Sequence, residues 1–334
     1  MMPSLPLVQA PMAGVQGSAL ALAVSGAGAL GSLPAAMLSD EALTAELSVL
    51  AASELPYNVN FFAHQMPAPD PAADDAWVAA LAPYRAEFGV AETGSTASRR
   101  PFDEGVCGLV EPFAPPIVSF HFGLPDEALL RRVKAWGAVV MSTATTVDEA
   151  RWLVAHGADV VIAQGWEAGG HRGHFLSMDP SLHRPTLELV RAVKAAVDAP
   201  VVAAGGITTA EHVRAALDAG ALSVQVGTAF LLADEATTSP FHREALLQPH
   251  ETVVTTAMTG RPARGIPNRL INDLGAFPEA VPPFPRAAGA IAPLKVAAEA
   301  RGRADFTSMW CGTSTEGLRA APAAEIVAEL TPRR

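Results

Sequence analysis

Eight short apolar runs, each followed by a stretch with helical periodicity, constrain this chain more than any other feature. They read LPLVQAP near the start, GALGS from Gly28, YNVNFF from Tyr57, IVSFHFG from Ile117, AVVMSTA from Ala138, DVVIAQG from Asp159, PVVAAGG from Pro200 and SVQVGTA from Ser223. A strand that is apolar along its whole length is buried on both faces, and helices between strands supply the cover. Eight such units predict an α/β fold, a closed TIM (β/α)8 barrel.

The helical segments carry their own boundaries. In SDEALTAELSVLAAS, Ser39 is placed to cap the N-terminus; TTVDEARWLVAHGAD and TTAEHVRAALDAGAL share a Thr-Thr start, an amphipathic body and a Gly-Ala exit, a weak internal repeat. The barrel is expected over residues 1–235. It is interrupted after the third strand by a Pro-, Ala- and Asp-rich insertion at 63–116 with one helix around 76–88. Residues 236–334, with FPEAVPPFPRAAG inside them, read as a helical extension that packs on the barrel and shapes its mouth.

Met1 to Ser39 carries no charge, but no Lys or Arg precedes Arg85 and prolines interrupt the stretch, so it reads as core and not as an export signal or a membrane span. A formal charge of -11 without a basic cluster argues against nucleic acid. The two cysteines, Cys107 and Cys311, offer neither a disulfide framework nor metal-ligand spacing, which fits a cytoplasmic protein. A monomer or a homodimer is expected.

Barrel enzymes place their chemistry at the C-terminal ends of the strands. Here the seventh strand ends in AAGGITT and the eighth in VQVGTAF, so Gly205, Gly206, Gly227 and Thr228 can bring backbone N–H groups to an anion at the usual barrel phosphate site. Other exits offer Pro11, Met12 and Ala13, then Asn58 and Asn60, then Gln164. A phosphate cradle beside amides and a glycine-lined surface suits flavin mononucleotide better than a sugar phosphate. The densest polar cluster, AQGWEAGGHRGHF from Ala163, follows the sixth strand. His171 has little packing role between glycines and points to catalysis or ligand binding. His174 reads as solvated or loop-fixing, Glu167 as a backbone hydrogen-bond acceptor, and His121 as either a core or a site residue. His64 stays open, and His156, His183, His212, His242 and His250 read as surface.

Taken together, QAPMAG, NVNFF, VSFHFG, AQGWEAGGHRG, VVAAGGI, VQVGTAF and GRPARGIPN resemble the FMN-dependent nitronate monooxygenases of the bacterial and fungal class I type, along nearly the whole chain. The resemblance implies FMN as cofactor and His171 as the catalytic histidine. It also implies FMN contacts from Asn60, Gln164, Gly169, Gly206, Gln225, Val226, Gly227 and Thr228, with His121 on the substrate side. Family members often carry tyrosines near a substrate gate; the matching segment PPFPRAAGAIAPLKVAA has Phe284 and no tyrosine.

The implied reaction oxidises an alkyl nitronate, such as propionate 3-nitronate, with O2 to a carbonyl compound and nitrite. Removing a proton beside a nitro group needs a base with a pKa near neutrality, which imidazole provides. The alternative is an FMN-dependent NAD(P)H reductase acting on a quinone or an enoyl thioester; FHFGLP argues against it. A flavin-free barrel for isomerase or aldol-type chemistry would need a Lys or a carboxylate at a strand end, and the eight exits have none.

Overall fold

The computed structural model describes residues 7–91 and 99–332. All eight expected strands form: β1 Leu7–Gln9, β2 Gly31–Pro34, β3 Tyr57–Phe62, β4 Ile117–His121, β5 Val139–Ala144, β6 Val160–Gln164, then β8 Val201–Ala204 and β9 Ser223–Val226. They pair in parallel in the order β1-β9-β8-β6-β5-β4-β3-β2. A bridge from Val8 to Leu30 closes the ring, with Leu30 N–H donating to Leu7 O at 2.9 Å and Gln9 N–H to Leu30 O at 2.8 Å. The fold is therefore a (β/α)8 barrel.

The caps act where the sequence places them. Ser39 Oγ accepts from Ala42 N–H ahead of the helix Asp40–Ala52. In the Thr-Thr repeat the second threonine does this job both times, Thr146 ahead of Val147–Ala155 and Thr209 ahead of Ala210–Asp218. No helix among the described residues is long and apolar enough to cross a membrane.

Two expectations need correction. The insertion helix runs from Pro71 to Phe88, not from residue 76, because Asp70 caps it and Pro71 occupies the first turn, where a missing N–H costs nothing. A second helix, Glu104–Val110 capped by Asp103, also lies within 63–116. The tail, in turn, is not purely helical. It contributes β10 Val253–Thr255, β11 Ala263–Ile266 and β12 Met309–Trp310 to a small antiparallel sheet, whose remaining strand, β7 Gly170–His171, comes from the glycine-rich loop. These strands have two to four residues each, too few to show a period.

The insertion helix packs on the tail helix Ala287–Glu299 through Trp77, Leu81, Tyr84 and Phe88, which share a core with Leu270, Ile291, Leu294 and Phe306. Trp77 is fully buried and donates from Nε1 to Ala287 O at 3.1 Å. Trp77→Ala is expected to cost about 3–5 kcal/mol, by removing that packing and orphaning the carbonyl. Urea unfolding checks it, and a loss below about 1 kcal/mol would mean the two helices are not a shared core.

Candidate active site

A cavity of about 570 Å³ opens at the C-terminal ends of the barrel strands. Its barrel wall includes Met12, Asn60, His121, Gln164, Gly169, Gly205, Gly206, Gln225, Gly227 and Thr228, and its outer wall includes Met258, Ile291, Lys295 and Trp310 from the tail. Of the expected cofactor contacts, only Val226 does not line it. Its side chain is buried in the barrel core and its carbonyl accepts from Ala10 N–H at 2.7 Å, because successive strand residues face opposite sides.

At the exits of β8 and β9, the N–H groups of Gly205, Gly206, Gly227 and Thr228 have no acceptor among the described residues. Gly205 and Gly206 have φ of 128° and 67°, values that L side chains rarely adopt. Four free donors around one concavity form an anion cradle without any charged side chain. Nearby, Gln225 Oε1 is buried with no partner among the described residues. Asn60 is held by two bonds from its Nδ2, to Ser119 O at 3.2 Å and Ser119 Oγ at 3.0 Å, which leaves its Oδ1 for the cavity.

His171 stands on β7, which pairs with β11 in the register Ala263 to His171 and Arg264 to Gly170. Its Nε2 lies 3.0 Å from Thr259 Oγ1, and Thr259 Oγ1 donates to Arg261 O at 3.3 Å. With the threonine proton given to Arg261 O, the assigned tautomer has the hydrogen on Nε2 and leaves Nδ1 as the basic nitrogen. Phe284 and Trp310 lie 5.4 and 5.7 Å from the ring by centroid. Burial, then the positive charge of Arg99, holds the His171 pKa well below the usual imidazole value, and so below the near-neutral value the sequence led us to expect; the ring is neutral at pH 7.

Two residues expected to meet ligand are largely occupied in holding this loop. Gln164 donates from Nε2 to His171 O at 2.9 Å and accepts at Oε1 from Gly173 N–H at 2.8 Å. His121 bonds Thr143 Oγ1 through Nδ1 at 3.0 Å and donates from Nε2 to His171 O at 3.1 Å. Burial pushes its pKa down to about 3, and both nitrogens of this neutral ring are engaged by protein partners. Gly173 is glycine because a Cβ there would lie 2.6 Å from Thr143 Cγ2 and 2.8 Å from His121 Cε1.

Two histidines are placed differently from what the sequence suggests, while Glu167 accepts from backbone as expected. His174 and His242 are buried at 1% and 2% exposure, and burial brings their pKa values to about 3 and about 4. Glu167 accepts from Thr186 N–H at 2.8 Å and Thr186 Oγ1 at 2.7 Å, supplying the cap that Pro185 cannot give to the helix Thr186–Lys194. The fully buried Arg172 donates to Gly165 O at 2.7 Å and Gln164 O at 3.2 Å, tying the loop to the end of β6. Sequence reasoning missed Arg172, Thr259 and Arg99. For Thr259 the signal was its place beside GRPARGIPN; for the two arginines, nothing local distinguishes them from surface cations.

A closed barrel with an anion cradle and a neutral histidine at its strand exits defines an α/β-barrel enzyme acting on a small molecule. The sequence profile of the family described as Nitronate monooxygenase matches residues 2–333, and the chain belongs to that family. A nitronate monooxygenase from Pseudomonas aeruginosa is 42% identical, over 97% of this chain and 95% of its own length. One from Paraburkholderia phytofirmans is 38% identical, over 97% and 91%. Among solved structures, nitroalkane oxidase from Streptomyces ansochromogenes superposes with a TM-score of 0.89 at 39% identity, covering 98% of this chain and 94% of that one. FabK from Thermotoga maritima gives 0.71 at 26% identity, over 98% and 91%. This protein is an oxidoreductase of the nitronate monooxygenase kind.

Proposed function

We propose that the protein is an FMN-dependent nitronate monooxygenase that converts alkyl nitronates, propionate 3-nitronate among them, and O2 to carbonyl compounds and nitrite. The observation that carries this reading is the pairing, across one cavity, of four free backbone donors with a histidine held neutral. FMN fits the residues present: the N–H groups of Gly205, Gly206, Gly227 and Thr228 would hold its phosphate, Asn60 Oδ1 and Gln225 its ring edge, and Met12 an apolar face. When bound there, the flavin supplies the electron transfer to oxygen; the chain supplies position and proton handling.

For a neutral nitroalkane, His171 Nδ1 takes the proton from the carbon beside the nitro group, and the bond from Nε2 to Thr259 keeps Nδ1 free to do so. For a nitronate, already deprotonated, the same ring orients the substrate. Thr259→Val is therefore expected to lower kcat for nitroethane about fivefold, the worth of one hydrogen bond, and to shift the acid limb of the pH profile. Thr259→Ser should restore both. A valine variant with an unchanged profile would detach Thr259 from the histidine.

Oxygen uptake by the FMN-loaded protein on addition of propionate 3-nitronate, with no NADH or NADPH present, tests the reading. Rapid uptake with nitrite release supports it. No uptake, together with bleaching of the flavin by NAD(P)H, would transfer the protein to the reductase reading.

A further inference from the structure

The chain carries 34 acidic residues, yet among the described residues no carboxylate lines the cavity; the charged lining residues there are Arg99 and Lys295. Lys295 lies 3.9 Å from Glu299. Arg99 forms no ion pair among the described residues, and its Nη1 is buried without a partner there. Its neighbour Arg100 turns outward and pairs with Asp40. A guanidinium withdrawn from water without a counter-charge is costly, so a wall that keeps one is built for an anion that arrives later.

Position separates this cation from the phosphate cradle. The segment bearing Arg99 is fixed to the end of β3 by the bond from Phe102 N–H to Phe62 O at 2.7 Å. In the ring of eight, β3 stands four places from β8, across the barrel from Gly205 and Gly206. Arg99 instead leans toward Phe284, with Cζ 6.0 Å from the ring centroid, and Phe284 packs 5.4 Å from His171.

We propose that Arg99 is the receptor for the substrate's anion, holding a planar two-oxygen group on the His171 side of the cavity. The inference rests on the nitronate-oxidising reading of the site. A guanidinium presents parallel N–H donors that match two oxygens in one plane, a geometry that a nitronate and a carboxylate share. The group held is either the nitronate itself or a carboxylate on the same molecule.

The test uses the FMN-loaded protein and its Arg99→Met and Arg99→Lys variants, with benzoate as an unreactive planar anion and with two substrates, ethyl nitronate and propionate 3-nitronate. Benzoate binding, followed by flavin absorbance, is expected to weaken about 10- to 100-fold in Arg99→Met and less in Arg99→Lys, while FMN content stays unchanged. A matching rise in KM for both substrates assigns the nitronate group to Arg99; a rise for propionate 3-nitronate alone assigns the carboxylate. Unchanged benzoate affinity and unchanged KM values, or no saturable benzoate binding by the unaltered protein, overturn the proposal. If the methionine variant does not fold, the lysine variant decides, since it keeps the charge but loses the planar fork. Should the unaltered protein oxidise no nitronate, the reading of the reaction fails on its own, and benzoate still reports on Arg99.

Discussion

Replacing His171 by asparagine is expected to lower turnover of neutral nitroethane by about 10²- to 10⁴-fold, the range typical of a lost general base, with FMN still bound. Asparagine can keep a hydrogen bond toward Thr259 and fits the β7 strand, so the loop should hold its place. The proposed cofactor cradle lies at β8 and β9, away from this side chain. Nitronates need no deprotonation, so their turnover should fall much less, and that split distinguishes a base from a residue that merely packs. The sign of the pH dependence follows from the lowered pKa. The base is present above the ordinary imidazole value and is lost only as pH falls through its depressed value, so the acid limb of kcat/KM for nitroethane should lie below pH ~6.5. Equal activity of His171→Asn and the unaltered protein on nitroethane would falsify the assignment.

The second large effect concerns the cofactor. A Cβ at Gly227 would meet Ala10 Cβ at 3.5 Å and Met12 Sδ at 3.8 Å, ordinary contact distances, and its φ of -110° suits any residue. Gly227→Asp should fold, yet it sets a negative charge among the N–H groups offered to the phosphate. FMN affinity is expected to fall by roughly 10²-fold or more, since like charges in such a site cost several kcal/mol. Gly227→Ala, which adds bulk without charge, should lose far less. Flavin fluorescence titration of the apoprotein measures the difference, and apoprotein melting temperatures check that the fold is intact. Full affinity in the aspartate variant would place the phosphate elsewhere.

The barrel was legible because each strand is a local event: a run such as AVVMSTA is apolar throughout, and Ser39, Thr146 and Thr209 announce the helices that follow. The place of Gly205, Gly206, Gly227 and Thr228 at strand exits was legible for the same reason. What stayed hidden depends on partners distant in the chain. Gln164 lines the cavity, and its amide bonds to His171 O and Gly173 N–H could not be read from the sequence. His242 looks like a surface residue on an eight-residue helix, and only the tertiary packing buries it. The strands β10 to β12 are too short for periodicity, and they form because β11 pairs with β10, β12 and β7.

That pairing has a consequence for how the protein becomes active. Every barrel strand is complete in the chain by Val226, whereas the sheet partner of Gly170–His171 arrives with Ala263 and Arg264, and the Nε2 acceptor of His171 with Thr259, 88 residues after it. All eight barrel strands are therefore made before the loop bearing His171 can pair, and the C-terminal helix Ala323–Leu330, which completes the barrel core, arrives later still. The pairing of Gly170–His171 therefore depends on docking of the last third of the polypeptide.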